Sequence, residues 1–519
     1  MKHENKYHRS VVFCLVAVAL LVLACSGQYD ISDCKSSARP PRLYPDYSDI
    51  VIPPNIAPMN FVINEAGEKF VVDIYADSSS VIRLQSKSPR IVIPTRSWRH
   101  LLHRSVGRPI YFDIFVYTAD EGWTRHQRVV NRVASAPIDH FLVYRFLRPN
   151  YTVQEEMTIR QRDLESYRES LIMTTKTISG CINCHSFNQG DPSQMLFHIR
   201  WGAAGMIVAR QDEICKIDTR TEFNSSPAAY SSWHPNGRLA AFSVNKVFQF
   251  FHAADDSRDV IDLASDLILY DCDDNTVSID AKISSPFYME TFPNWSPDGA
   301  SLYFCRAPQL RADFDLEEGY RDIQYDLVRI PFEPDSKTWG EPETLVSAAE
   351  TKLSCSHPRI SPDGKYLLFC MVDYGNFPIF HSSADLYLLS LATGEIQRLA
   401  VNSDKPEGFH SWSSNSRWIV FTSKRDNGIF TRLYFSHVDE SGVVHKPFIL
   451  PIKEPRHYQT LFKSFSVPEL IRRPIPYRAQ QFIDAALDEH LERRAQLAPD
   501  TEILPRPDID STRTVTDFP

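Results

Sequence analysis

From about residue 200 onward, short apolar runs alternate with polar turns on a repeating schedule. Trp233-His234-Pro235-Asn236-Gly237 leads to Phe242, and Trp295-Ser296-Pro297-Asp298-Gly299 leads to Phe304. Ile360-Ser361-Pro362-Asp363-Gly364 leads to Phe369, and Trp412-Ser413-Ser414-Asn415-Ser416 leads to Phe421. In every copy the phenylalanine stands seven residues after the second turn position and is followed by a small residue: Ser243, Cys305, Cys370 or Thr422. A polar turn of this kind between β-rich runs predicts a hairpin. A further strand beginning near Asp266, Asp326, Asp385 and Arg432 completes each copy. Four strands per unit, at a period of roughly 50 to 65 residues, predict a β-propeller over 202–470. Five or six blades fit, counting a degenerate one around Met206 and Ile217 and a candidate closing strand at 459–467. A two-sheet sandwich would not explain the repeat. Because Cys305 and Cys370 share one repeat position, they should lie in equivalent strands as small buried hydrophobes.

The flanks differ in style. Residues 42–160 hold strand-like runs around Phe70, Val81, Arg90, Ile110 and His140 with polar turns between them. They predict a β-sandwich-like domain of immunoglobulin type, with a short helix near 97–105. Residues 154–174, charged and free of Pro and Gly, read as a helical or extended connector. After the propeller, Phe482, Ile483, Ala486, Leu487 and Leu491 form a stripe at helical spacing, so 471–519 is expected to be a helix and a tail. The expected fold class is therefore mainly β.

The N-terminus adds an address. Lys2, Lys6 and Arg9 precede an unbroken apolar run of 14 residues, 11–24. That run is short for a membrane span, which needs about 20 residues, and suits a signal-peptide core over 1–24. It ends in Leu23-Ala24-Cys25-Ser26, which resembles the lipobox of bacterial lipoproteins. The resemblance implies lipidation of Cys25, a membrane anchor, and a mature chain in the cell envelope, facing the periplasm or on the outer membrane. The alternative is an ordinary secretory signal in which Cys25 is coincidental.

One motif carries chemistry. Cys181-Ile182-Asn183-Cys184-His185 is C-x-x-C-H, the attachment sequence for a c-type haem. Its thiols bond the haem vinyls, and the adjacent histidine ligates the iron. A disulfide or half of a zinc site are the competing readings, but a zinc site needs a second ligand pair, and no other C-x-x-C occurs. Residues 161–201 are too few to wrap a haem alone, so the haem is expected at the junction of the two β domains. The turn-forming Gly190-Asp191-Pro192 would fold the chain back and offer His198 as the sixth iron ligand, with Met195 as the alternative. His234 and His252 are further candidates, and an open sixth position would allow peroxidase chemistry. Asp255, Asp256, Asp259 and Asp262 form an acidic cluster without the bidentate Glu of a calcium loop.

The layout resembles Bacteroidetes-type lipoproteins that join a TolB-like, WD-type propeller to a single c-type haem motif. The resemblance rests on Ala136-Pro137-Ile138-Asp139, Tyr144-Arg145, Arg162-Asp163-Leu164-Glu165, Cys184-His185-Ser186-Phe187, Met195-Leu196-Phe197-His198 and Ala241-Phe242-Ser243-Val244-Asn245. It implies one covalent haem c per chain and one-electron transfer, with the propeller docking a redox partner or another envelope protein. A propeller scaffold with a structural or vestigial haem site is the alternative. The formal net charge of −9 argues against nucleic acid as a partner. Neither a G-x-S-x-G elbow nor a phosphate-binding loop is present.

Overall fold

The computed structural model describes residues 28–503 apart from 79–80, 149–155, 225–226, 253–257, 489, 491 and 500. The expected signal peptide, Cys25, Asp255, Asp256 and Leu491 lie outside the described residues. The chain is mainly β, and six of its sheets follow one another round a ring.

The six innermost strands are Cys181–Asn188, Ala229–Trp233, Tyr288–Trp295, Ser354–Ile360, Glu407–Trp412 and Ser464–Ile471. Each contacts the next, and the last contacts the first, so the ring is closed. Blades 1 to 6 are named in that order. In blades 1 to 5 the strands run outward in chain order. In blade 6 only the innermost strand comes from the C-terminal part. It pairs antiparallel with Phe141–Leu147, from Phe141 opposite Ile471 to Leu147 opposite Ser464, and Thr158–Asp163 and Glu169–Thr174 complete the sheet.

This corrects the boundaries expected from sequence. The strand at 140–146 belongs to the propeller, not to the N-terminal domain. Residues 158–174 form a hairpin of blade 6, so they are extended, not helical. Residues 181–200 are the first two strands of blade 1, so the motif segment is no linker between domains. The physical reason is ring closure: a propeller needs its ends joined, and antiparallel pairing of the last strand with an early segment completes the sixth sheet.

Cys305 and Cys370 do occupy the second strands of blades 3 and 4, both fully buried. The repeated turn is closed by its own polar residues. Ser296 Oγ donates to Asp298, Ser361 Oγ to Asp363 and Ser413 Oγ to Asn415. The left-handed position of the turn is glycine in three copies and Ser416 (φ 59°) in the fourth.

The N-terminal domain comprises a seven-stranded sheet and a three-stranded sheet, with the helix Thr95–Arg104 packing Trp98, Leu101 and Leu102 inward. Its core is continuous with blade 5, running from Trp98 and Ile114 to Trp418, Leu433 and Phe435. Asp139 accepts from the Ser414 amide (2.7 Å) and hydroxyl (2.6 Å), and Trp418 Nε1 donates to Ala136 O (3.1 Å). The turn of blade 5 is thus the socket for 136–139. At the other end, the helix Ala479–Leu487 buries Phe482, Ala485 and Ala486 against blades 6 and 1. Beyond it, Glu492–Arg494 and Gln496–Leu497 add parallel edge strands to blades 1 and 2, a role the sequence pattern does not signal.

Trp418→Ala should lower the unfolding free energy by about 3–5 kcal/mol, the usual cost of emptying a large buried aromatic site. Asp139→Ala should cost about 1–3 kcal/mol, because the Ser414 amide and hydroxyl lose their acceptor. Urea denaturation of both variants beside the wild type checks this; wild-type midpoints would mean that the domain contact contributes nothing.

Candidate functional site

The channel site is built from a defect repeated in all six inner strands. In each, the ladder register shifts near the middle, the signature of a β-bulge. The first bulged residues are Cys184, Tyr230, Phe292, His357, Phe409 and Val467. All but Cys184 hold positive φ, between 34° and 55°, a region that side-chain-bearing residues rarely adopt. The six together line a narrow neck of about 40 Å³. The second cysteine of the motif is therefore blade 1's member of a ring that closes the channel.

This placement is legible in the sequence after the fact. Every ring residue stands three positions before the apolar residue that opens its turn: Phe187, Trp233, Trp295, Ile360, Trp412 and Leu470. Phe187-Asn188-Gln189-Gly190 is a worn copy of the repeated turn, and Leu196 stands seven residues after Gln189 as each phenylalanine does after its own turn. Without Trp or Asp in that copy, the repeat was masked by the motif itself.

On one side of the neck opens a cavity of about 560 Å³, within the size range of ligand pockets. Asn183, Cys184 and Arg200 of blade 1 line it, as do Tyr230 and Arg145. The other mouth is smaller, about 300 Å³, and is lined by the repeat turns with Arg359 and Glu469. That pair is 3.0 Å apart, and burial pushes the Glu469 carboxyl up while Arg359 opposes the shift.

Cys184 is half-buried and faces both the cavity and the neck. Cys181 is 8% exposed, and Asn183 Nδ2 lies 3.5 Å from its sulfur. Burial pulls the Arg200 guanidinium down, but Tyr230 and both motif thiols outweigh it, so its pKa is raised. His185 is 1% exposed, and neither ring nitrogen makes a hydrogen bond of normal geometry, the Val143 backbone being its one weak polar neighbour. Burial, with Arg145 and Arg359 nearby, brings its pKa down to about 3, which keeps the imidazole neutral and able to ligate a metal.

His198 and Met195 are placed differently from expectation. The turn at Gln189 and Gly190 forms, but it makes a tight hairpin in which His198 pairs with Asn183 and Met195 with Phe187. Paired strands stand about 4.8 Å apart, so no porphyrin passes between them, and the hairpin does not wrap a haem edge. His198 is buried, and burial with Arg200 nearby holds its pKa well below the usual value; both its ring nitrogens lack partners. It lines neither mouth nor the neck. Met195 is fully buried in the apolar layer between blades 6 and 1. Among the described residues, no group of three or more His, Cys, Asp or Glu is arranged to hold a metal ion.

His234 is a turn residue, its Nε2 3.1 Å from Gly299 O and its Nδ1 accepting from the Asn236 amide. His252 Nε2 lies 2.8 Å from Asp259, which Tyr374 also contacts. Asp262 is bound by Asn245 (3.1 Å), Asn376 (2.6 Å) and Tyr325 (3.3 Å). These two aspartates brace the long hairpin of blade 2 against blades 3 and 4, so the described half of the acidic cluster is an internal network.

No protein-family model matches the chain, and no curated relative does. Solved structures that it resembles include the nidogen–laminin complex (10% identity, TM-score 0.38), over 64% of this chain and 100% of that one. An oligogalacturonate lyase from Vibrio parahaemolyticus matches at 14% identity and TM-score 0.33, over 73% of this chain and 100% of that one. A β-propeller domain from Myceliophteria thermophila matches at 11% identity and TM-score 0.31, over 61% of this chain and 91% of that one. It is the closed ring of six sheets that makes the chain a β-propeller.

Asp262 yields a pH prediction. Burial raises its pKa from 3.8 to about 6, against the three hydrogen bonds. The folded state thus holds the proton more tightly than the unfolded chain. The contribution of Asp262 to stability should be greatest below pH 4, fall by up to about 3 kcal/mol through pH 6, and then level off. Asp262→Asn should flatten that slope in denaturation curves taken across pH 4 to 7; an unchanged slope would assign it to other groups.

Proposed function

We propose that this chain is a cell-envelope electron carrier in which Cys181 and Cys184 hold one covalent haem c and His185 ligates its iron. The observation that carries the reading is C-x-x-C-H on the channel-lining strand of blade 1, with Cys184 opening on the 560 Å³ cavity and His185 buried without a partner. A buried imidazole with two unsatisfied nitrogens is costly unless something binds it. When bound, the haem would supply a one-electron redox couple. The chain's own residues would hold it covalently, keep the imidazole neutral for ligation, and exclude water from one side through the ring at the neck. The propeller would dock the donor or acceptor. The resemblance to haem-bearing TolB-like lipoproteins, and the lipobox-like Leu23-Ala24-Cys25-Ser26, support an envelope location with Cys25 as the lipid anchor.

A second reading, a propeller scaffold with a structural or vestigial haem site, has its own support. The motif strand pairs with the second strand of blade 1 on both sides of its bulge, which supports a fold that needs no bound group.

Co-expression with haem-maturation machinery should give a c-type pyridine haemochrome spectrum, lost in Cys181→Ala/Cys184→Ala. No covalent haem in the wild type overturns the proposal. His185→Ala should keep the covalent haem but shift the Soret band and the midpoint potential. A haem that cannot be reduced and reoxidised would favour the scaffold.

A further inference from the structure

We infer that the 560 Å³ channel mouth is a binding site for an organic carboxylate with an apolar body, held by Arg145 and Arg200. The mouth is lined by five cations, Arg145, Arg200, Arg258, Lys405 and Lys424, and no Asp or Glu is among its described lining residues. Arg145 is 8% exposed, and its Nε is buried without a hydrogen-bond partner. Among the described residues its Nη2 reaches Met157 Sδ, at 3.4 Å, a weak acceptor. Neither Arg145 nor Arg200 takes part in an ion pair among the described residues, although guanidinium groups elsewhere in the chain find carboxylates, as in Arg83–Asp73 at 2.6 Å.

Burying a guanidinium without a counter-charge is strongly unfavourable. The carboxylate that feels Arg200 is Asp262, and Asp262 is already committed to Asn245, Asn376 and Tyr325. Among the described residues no carboxylate forms an ion pair with either guanidinium, which points to a compensating anion from outside the polypeptide. Two guanidiniums in one cavity suit carboxylates, which accept paired N–H donors. The remaining wall is apolar, with Val260, Phe377 and Phe409 among its residues, and so suits a hydrocarbon or aromatic body. Arg145 comes from blade 6 and Arg200 from blade 1, so the ligand would bridge two adjacent blades of the ring.

Two sources share this chemistry: a diffusible carboxylic acid, or the acid groups of a haem attached at Cys184. The inference stands without the haem reading, and the experiment separates them. Pyrenebutyrate, an aromatic carboxylate, is titrated by fluorescence against its neutral alcohol, pyrenebutanol, with the Cys181→Ser/Cys184→Ser protein and with the haem-loaded wild type. The Cys181→Ser/Cys184→Ser protein should bind the acid at least tenfold more tightly than the alcohol. Arg145→Gln and Arg200→Gln should each remove that preference, and Arg145→Lys should keep part of it. Circular dichroism confirms folding, and the two arginines lie on different strands, so one misfolded variant leaves the other informative. Binding by the Cys181→Ser/Cys184→Ser protein but not the loaded one makes the haem's own acids the anion; equal binding by both makes it a diffusible acid. Equal affinity for acid and alcohol, or variants that bind as the parent does, would overturn the inference.

Discussion

Everything in this molecule depends on one antiparallel pairing, that of Ser464–Ile471 with Phe141–Leu147. It joins chain segments more than three hundred residues apart and closes a ring of six sheets. Closure packs the last blade against the first and leaves only short, protected edges. It also fixes the inner strands closely enough for six bulged residues to meet at one neck. Arg145 reaches the cavity because its strand is held by the closing one, and Arg200 reaches it from the neighbouring blade. The N-terminal domain and the C-terminal helix reinforce the same seam, the first by docking on blade 5 and the second by packing across blades 6 and 1.

The bulges are where structure turns toward function. An extended strand would send alternate side chains into the inter-blade layers, where apolar packing would claim them. The extra residue breaks that alternation and turns one side chain per blade toward the axis. Four of the six ring positions carry Tyr, Phe or Val, which seal the neck. Cys184 and His357 are the exceptions, and His357 stacks on Phe292 with ring centroids 3.9 Å apart. The wide mouth beyond the neck is cationic, whereas the opposite mouth, walled by repeat turns, carries the Arg359–Glu469 pair. The channel is thus polarised: the wide mouth holds the buried Arg145 and Arg200, and the opposite mouth holds an ion pair.

Much of the architecture was legible because the repeat is written in local chemistry: an apolar opener, a polar turn that closes on its own side chains, and a phenylalanine at fixed spacing. The same logic failed where the local signal was weak. Blade 1 lacks the Trp and Asp of its sisters, so Cys181–Asn188 looked like a linker when it is an inner strand. Blade 6 is split between the two ends of the chain, a long-range pairing that no window of sequence contains. His198 looked like a ligand because a turn separates it from His185; the turn exists, but ladder hydrogen bonds rather than a haem fill the space between its arms. Arg145 and Arg200 gave no sign in the sequence, since an arginine's meaning lies in the carboxylates it fails to meet.

The central claim is that the channel strand of blade 1 is a site of covalent haem attachment. Intact-protein mass spectrometry after expression with haem-maturation machinery, followed by peptide mapping, tests it most directly. The account predicts one haem per chain, carried on the peptide that contains both Cys181 and Cys184. A chain of unmodified mass with both thiols free to alkylate would contradict it.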